Sequence, residues 1–276
     1  MNKRYSFEFF PPKTEAGREK LKQTRAELNT LDPSFFSVTY GAGGSTRDNT
    51  RGIVLETRAA GIDVAPHLSF GGDEEADVLE LIQQYKDAGV KRLVALRGDI
   101  PSGMGATRLV YARELVEFIR KHTGDHFEIE VAAYPEIHPD AKSYDKDISY
   151  LKAKLDAGAN SAITQYFFNA DAYFYFLEDC EKAGIDKPIY PGIMPILNFT
   201  NLARFSRNCG AEIPRWLTRK LEGYGDDQES VSKFGNEFVT EMCQILMEGG
   251  APGIHFYTMN QVEPVKTMLQ ELKAED

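Results

Sequence analysis

The sequence predicts an α/β fold, specifically a closed (β/α)8 TIM barrel with extra helices ahead of its last strand. Three observations carry this. Segments rich in β-branched and aromatic residues alternate with amphipathic stretches of helical length throughout, and strict alternation implies parallel strands joined by right-handed crossovers. Several strand segments are almost continuously apolar, as strands covered on both faces are. Eight such units fit into 276 residues, close to the ~250 residues typical of this barrel. No linker, low-complexity tract or charge block interrupts the chain, so residues 1–276 read as one domain.

In chain order the strand segments are YSFEFF (5–10), SFFSVTY (34–40), DVAPHLSF (63–70), KRLVALRG (91–98), FEIEVAAYP (127–135), SAITQYFF (161–168), PIYPGIMP (188–195) and GIHFYTMN (253–260). Residues 76–87 place Val78, Leu79, Ile82 and Tyr85 at helical spacing, and 107–121, 145–157 and 230–248 read the same way. Gly61, Gly89, Gly158 and Gly184 stand where helix C-caps belong. Residues 196–250 are longer than one unit and accommodate the extra helices. An open Rossmann sheet is the structural alternative. It needs a G-x-G-x-x-G after an early strand, and neither GAGGST (41–46) nor GMGATR (103–108) fits.

Composition removes several function classes. A net charge of −10 argues against phosphate-backbone binding, so no nucleic-acid partner is expected. No apolar run approaches the ~20 residues of a membrane span, and the N-terminal residues lack a signal peptide's apolar core. Cys180, Cys209 and Cys243 are odd in number and widely spaced, which fits reduced thiols in a cytoplasm and no zinc site. P-loop, zincin and nucleophile-elbow motifs are all missing.

A barrel's active site lies at the C-terminal ends of its strands. There the chain carries Glu8, Thr39, Tyr40, His67, Arg97, Asp99, Tyr134, Glu136, His138, Gln165, His255, Tyr257 and Asn260. Glu8 stands out because it lies between Phe7 and Phe9. Alternation puts Ser6 and Glu8 on one face and Tyr5, Phe7 and Phe9 on the other, so phenylalanines facing helices leave Glu8 facing the barrel mouth. Burial is expected to raise its pKa and suit it to general-acid work. An exposed or edge glutamate is the other reading of the pattern. Arg97-Gly98-Asp99 is a cation–anion pair on a tight turn, and a ligand contact and a structural ion pair both fit it. His67 alone reads as a core histidine as readily as a ligand, and His138 sits on a Pro-rich loop suited to ligand contact. Asp147, Tyr150 and Lys154 share one helix face, which is either solvated or turned to a ligand. Phe199 and Phe205 read as core.

Eight collinear motifs, FEFFPPK (7–13), SVTYGAGGS (37–45), PHLSF (66–70), ALRGDIP (95–101), VAAYPEIHPDAKS (131–143), DAGANSAITQYFF (156–168), PGIMPI (191–196) and HFYTMN (255–260), resemble the methylenetetrahydrofolate reductase family. They cover essentially the whole chain, match the single-domain bacterial enzymes best, and leave no room for a regulatory domain. The resemblance implies a barrel holding FAD non-covalently, reduced by NADH or NADPH with NADH preferred. By ping-pong kinetics the reduced flavin converts 5,10-methylenetetrahydrofolate to 5-methyltetrahydrofolate for methionine synthesis.

The resemblance further implies catalytic roles for Glu8, as general acid, and Asp99. FAD contacts carry over to Tyr40, Ala42, His67, Arg97, Gly98, Asp99, Tyr111, Ala112, Tyr134, His138, Ala141, Asp147 and Lys154. Substrate contacts fall on Thr39, Asp99, Gln165, Asn201, Phe205 and Gln261. The chain departs from the family pattern at three of its positions. Asn201 ends an N-F-x-N where N-F-x-Q is usual, Gln261 replaces an arginine, and Tyr150 stands for a frequent asparagine. Partners are then small molecules only, with oligomeric state left open and a homo-oligomer among the outcomes. Two other classes remain. A phosphate-binding aldolase or isomerase needs a strand lysine or a Gly-rich phosphate turn, and a non-catalytic barrel leaves Glu8, Asp99 and Gln165 without chemistry.

Overall fold

The computed structural model describes residues 3–40, 44–70, 73–97 and 110–275. Strands and helices alternate as the hydrophobic pattern predicts. The order is β1 (Arg4–Phe9), α1 (Glu15–Asn29), β2 (Phe35–Val38), α2 (Gly44–Ala59), β3 (Val64–Leu68), α3 (Glu75–Asp87), β4 (Arg92–Ala95), α4 (Ala112–Thr123), β5 (Glu128–Ala133), α5 (Tyr144–Asp156), β6 (Ser161–Thr164) and α6 (Ala170–Lys182). Then come β7 (Ile189–Tyr190), β8 (Gly192–Ile193), α7 (Phe199–Cys209), α8 (Arg215–Glu222), α9 (Gln228–Glu248), β9 (Gly253–Tyr257) and α10 (Val265–Glu275). The sheet order is β7-β6-β5-β4-β3-β2-β1-β9-β8, and the recorded pairings are parallel.

The seventh segment accounts for the ninth strand. Pro191 has no N–H to donate. Ile189 and Tyr190 pair with β6, whereas Gly192 and Ile193 pair with β9, so consecutive residues hold the two ends of the sheet. That closes the barrel. Gly192 is required at this seam: a Cβ there would lie 2.1 Å from the Thr164 carbonyl oxygen and 2.7 Å from the Tyr257 hydroxyl. Its N–H donates to Thr164 Oγ1 at 2.9 Å.

Alternation sorts the side chains into two environments. Tyr5, Phe7 and Phe9, with Phe36, Val38, Ile129, Val131 and Phe256, form the layer between sheet and helices. Phe35, Ala65, Val94 and Ile163 form a separate cluster inside the barrel. The expected interval holds three helices, α7, α8 and α9, two more than one βα unit needs. Gly61, Gly89, Gly158 and Gly184 all have positive φ just past their helices. The helix expected at 107–121 begins instead at Ala112, where the Glu114 carboxylate accepts the Tyr111 N–H at 2.9 Å. Asp/Glu placed to accept an orphan first-turn N–H fixes a helix start.

Candidate active site

Glu8 lies near the C-terminal end of β1 and turns into the barrel, with its side chain 16% exposed. Three groups converge on its Oε2. Ser37 Oγ of β2 donates at 3.4 Å, His255 Nε2 of β9 stands at 3.4 Å, and His67 Nε2 of β3 at 3.1 Å. The His67 contact is close but is not a directed hydrogen bond. Its Nε2 is buried, yet among the described residues no acceptor lies along its N–H. His255 is wholly buried, and its Nδ1 is 2.7 Å from Ser6 Oγ. The Glu8 backbone carbonyl accepts the Thr258 hydroxyl at 2.7 Å, which ties the strand end to the last βα loop.

These neighbours correct the expectation of a raised Glu8 pKa. Burial does push the carboxyl up, but the neighbouring imidazoles of His67 and His255 outweigh it and hold the group at about 2. Within β1 the pattern exposes the burial. The opposing groups come from β3 and β9, which the pattern around Glu8 does not contain.

A second constellation sits over β4, β5 and α5. Arg97 Nη2 pairs with Asp140 Oδ2 at 2.7 Å, which lowers the Asp140 pKa. The His138 N–H donates to Asp147 Oδ2 at 2.8 Å, and its Nδ1 accepts the Asp140 N–H at 3.0 Å. The neutral ring therefore carries its proton on Nε2. Burial and Arg97 hold His138 below its ordinary pKa. Lys154 Nζ donates to the Ala132 carbonyl of β5. Burial pulls its pKa down to about 8, against the opposing charge of Asp147. The Tyr134 ring meets His138 edge-on at 4.5 Å. Tyr40 donates to Asp73 Oδ2 at 3.0 Å, and burial followed by the Asp73 charge pushes its phenol up. Cations and N–H donors thus gather at one side of the barrel's upper rim, suited to an extended anion.

Comparison with known proteins meets this geometry from the sequence side. The family model described as methylenetetrahydrofolate reductase matches residues 1–273. A protein of Pectobacterium carotovorum subsp. carotovorum named 5,10-methylenetetrahydrofolate reductase is 42% identical over 259 residues, covering 94% of this chain and 86% of that one. The chain belongs to the methylenetetrahydrofolate reductase family. An Arabidopsis thaliana relative named methylenetetrahydrofolate reductase (NADH) 1 is 39% identical over 271 residues, covering 93% of this chain and 46% of the longer plant protein. Among solved structures, an uncharacterized Clostridium thermocellum protein said to bind two copies of 5-methyl-5,6,7,8-tetrahydrofolic acid overlays with a TM-score of 0.69. It is 16% identical and covers 100% of this chain and 96% of that one, a likeness of fold.

The residues singled out from the sequence fall into distinct places on this family barrel. Glu8 and His67 meet, and so do Arg97, Tyr134, His138, Asp147 and Lys154 through the contacts above. Ala141 closes the same loop, donating its N–H to the His138 carbonyl at 2.8 Å. Ala112 is buried in the first turn of α4, next to Tyr111, which is 57% exposed. Tyr150 is 51% exposed, so the shared face of α5 splits: Asp147 and Lys154 turn to the barrel and Tyr150 to solvent. Gln165 follows β6 and lines a small pocket with Tyr134, Glu136, Tyr166 and Cys209. Thr39 continues β2 with its N–H on the Phe9 carbonyl. Asn201 and Gln261 are exposed, on the first turn of α7 and after β9. Phe199 packs on the core, as expected; Phe205 is half-buried outside it, with Arg204 Cζ 5.2 Å from its ring centroid. Ala42, Gly98 and Asp99 lie outside the described residues.

Ser37 was missed in the sequence, whereas Asn260 was singled out without its role. Ser37 sits in an apolar strand and meets Glu8 only through the sheet. Asn260, at φ 57°, clamps the Phe10 N–H and carbonyl with its side-chain amide at 3.0 and 2.8 Å. An asparagine beyond a strand end is a usable signal for that left-handed conformation. Among the described residues no His, Cys, Asp or Glu cluster could hold a metal ion, and the cysteines are free.

Proposed function

We propose that this chain reduces 5,10-methylenetetrahydrofolate to 5-methyltetrahydrofolate, with FAD held non-covalently and NADH as reductant, and that Glu8 is its general acid. The observation that carries the reading is a carboxyl in the barrel mouth whose one oxygen is held by two imidazoles and a hydroxyl. The names of the bacterial relative and of the plant relative, the latter carrying the word NADH, support the activity and the reductant.

The residues present fit an anionic flavin dinucleotide. Lys154 is a desolvated cation and His67 Nε2 is a buried nitrogen without a hydrogen-bond partner among the described residues. Arg97, His138 and Lys154 would hold the diphosphate side, with Tyr40, Tyr111, Ala112, Tyr134, Ala141 and Asp147 around it and Ala42, Gly98 and Asp99 assigned by resemblance alone. When bound, the flavin carries hydride from the nicotinamide to the folate's one-carbon unit. Thr39, Gln165, Asn201, Phe205 and Gln261 belong to the substrate side. Free thiols and soluble substrates support a cytoplasmic setting.

The protein's own part is the proton. The amine nitrogen of the folate ring leaves its methylene carbon only when protonated. In the free protein Glu8 is a carboxylate stabilised by imidazole. Planar ligands stacked in the mouth exclude water and favour the neutral carboxyl. Glu8 then delivers that proton to the nitrogen and returns to the carboxylate that Ser37, His67 and His255 stabilise. Glu8→Gln keeps size and a hydrogen bond but has no proton to give. Flavin bleaching by NADH should stay within about tenfold of the parent, while reoxidation by methylenetetrahydrofolate slows ~10²-fold or more. Stopped-flow absorbance follows each half separately. Equal slowing of both would make Glu8 a structural residue.

A further inference from the structure

Glu8 is held asymmetrically. Every contact recorded for its carboxylate reaches Oε2: Ser37 from β2, His67 from β3 and His255 from β9. Among the described residues none reaches Oε1. An acid pinned through one oxygen presents the other, so Oε1 is the oxygen left for a substrate nitrogen.

Of the three holders, His255 is the one built for the task. It is 0% exposed and its ring is itself held, whereas His67 is off-direction and Ser37, at the same 3.4 Å from Oε2, also lies 3.5 Å from His255 Nε2. Its ring is fixed from behind. Ser6 Oγ sits 2.7 Å from Nδ1, and Ser6 and His255 are cross-strand partners in the β1–β9 register. When the Ser6 hydroxyl donates to Nδ1, the ring proton lies on Nε2, facing Glu8. The opposite tautomer would set a nitrogen lone pair against a carboxylate. The Phe35 ring stacks on His255 at 6.1 Å and Tyr257 abuts it edge-on at 5.4 Å, which limits ring rotation.

We propose that His255, oriented by Ser6, is a positioning residue that holds Glu8 by Oε2 and strengthens it as an acid. This rests on the reading of Glu8 as proton donor. As Glu8 releases its proton from Oε1 to the folate amine, the C–N electron pair goes to that nitrogen and negative charge appears on the carboxylate. The Nε2–H on Oε2 stabilises that charge more than it stabilises the neutral acid. His255 keeps its own proton throughout. Among the described residues, the titratable groups facing Glu8 are His67 of β3 and His255 and Tyr257 of β9. The Glu8 charge helps push Tyr257 up, after burial, so that phenol stays neutral.

Removing the His255 donor therefore raises the Glu8 pKa and weakens the acid. His255→Leu deletes the donor, and His255→Gln keeps a neutral N–H near the Nε2 position as the conservative rescue. Carbon-13 NMR of carboxyl-labelled glutamate, with Glu8 assigned by its loss in Glu8→Gln, reads the titration directly in the flavin-free protein. In the parent the Glu8 signal should remain that of a carboxylate through mild acid. In His255→Leu its midpoint should rise by at least about one unit, and in His255→Gln by less. In stopped flow, His255→Leu should slow reoxidation by methylenetetrahydrofolate about tenfold or more, with flavin reduction by NADH unchanged and substantial rescue in His255→Gln. Where His255→Leu does not fold, Ser6→Ala serves in its place and should move both readouts the same way by a smaller amount. An unmoved Glu8 midpoint, or equal slowing of both half-reactions, overturns the assignment. A parent enzyme inactive on methylenetetrahydrofolate would instead overturn the functional reading, and the titration would still decide the role of His255.

Discussion

At the residue scale, burial and charge set the protonation of Lys154, and through it the FAD affinity expected from the proposed site. Its ammonium is desolvated against the Ala132 carbonyl, and Asp147 offsets only part of that cost, leaving a pKa of about 8. Between this value and its ordinary 10.5, the folded chain binds fewer protons than the unfolded one, so stability from this group rises with pH across that window. Ligand affinity runs the other way. A diphosphate favours the ammonium, so binding takes up a proton once the free lysine has lost its own. FAD affinity should be flat below about pH 8 and fall above it by up to about tenfold per pH unit. Lys154→Met should bind FAD about tenfold or more weakly, lose that pH dependence and retain its fold. Titration of flavin fluorescence against pH measures all three. A parent affinity that is unchanged across this range would remove Lys154 from the cofactor site.

At the element scale, α7 brings Phe205 beside the end of β6, and its attachment is local. The Tyr166 hydroxyl is 3.1 Å from Ser206 Oγ and 3.3 Å from Cys209 Sγ, while Glu136 accepts the Glu212 N–H at 2.8 Å. Ser206 and Tyr166 directly follow Phe205 and Gln165 in sequence, so the bond links two residues assigned to the substrate. Tyr166→Phe strands the buried Ser206 hydroxyl at a cost of about 1–3 kcal/mol. Urea unfolding should report that loss, and amide exchange should quicken in α7 while α6 keeps its protection. Uniform quickening would mean that Tyr166 supports the core rather than α7. The elements themselves were largely legible. Strand segments with both faces covered are apolar along their whole length, and that signal is local. Their ends were less so: Thr39 and Leu96 keep one N–H bond each to the neighbouring strand, on the Phe9 and Leu68 carbonyls, while Tyr40 and Arg97, read as strand, lie past the ladder. Pro191 splits the seventh segment for a reason that only closure reveals.

At the scale of the whole molecule, contacts far apart in sequence decide what the pattern leaves open. Glu8 drew attention because a carboxylate between two phenylalanines is a local anomaly. Its pairing with His255 did not, because that residue lies 247 positions away, and Ser37 looks like any small residue in an apolar strand. The opposite end of the barrel follows the same logic. Glu130 of β5 is 0% exposed and accepts Arg4 of β1 at 2.8 and 3.1 Å, Ser161 of β6, and Arg92 of β4 at 3.5 Å. Arg4 Cζ stands 3.3 Å from the Tyr190 ring centroid and 5.2 Å from that of Phe35. One carboxylate thus joins strands from across the barrel and balances two guanidinium groups. Removing it leaves Arg4 confined beside aromatic rings, with its Nε already lacking a partner among the described residues. Glu130→Gln should lower stability by about 3–5 kcal/mol, since breaking a buried pair strands the remaining charge. Arg4→Met combined with Glu130→Leu should recover much of that loss, because it removes the stranded charge and fills the space with apolar atoms. Urea midpoints of the three proteins test this. A double variant no more stable than Glu130→Gln would show that the geometry of the pair, rather than the uncompensated charge, holds the lower end of the barrel together.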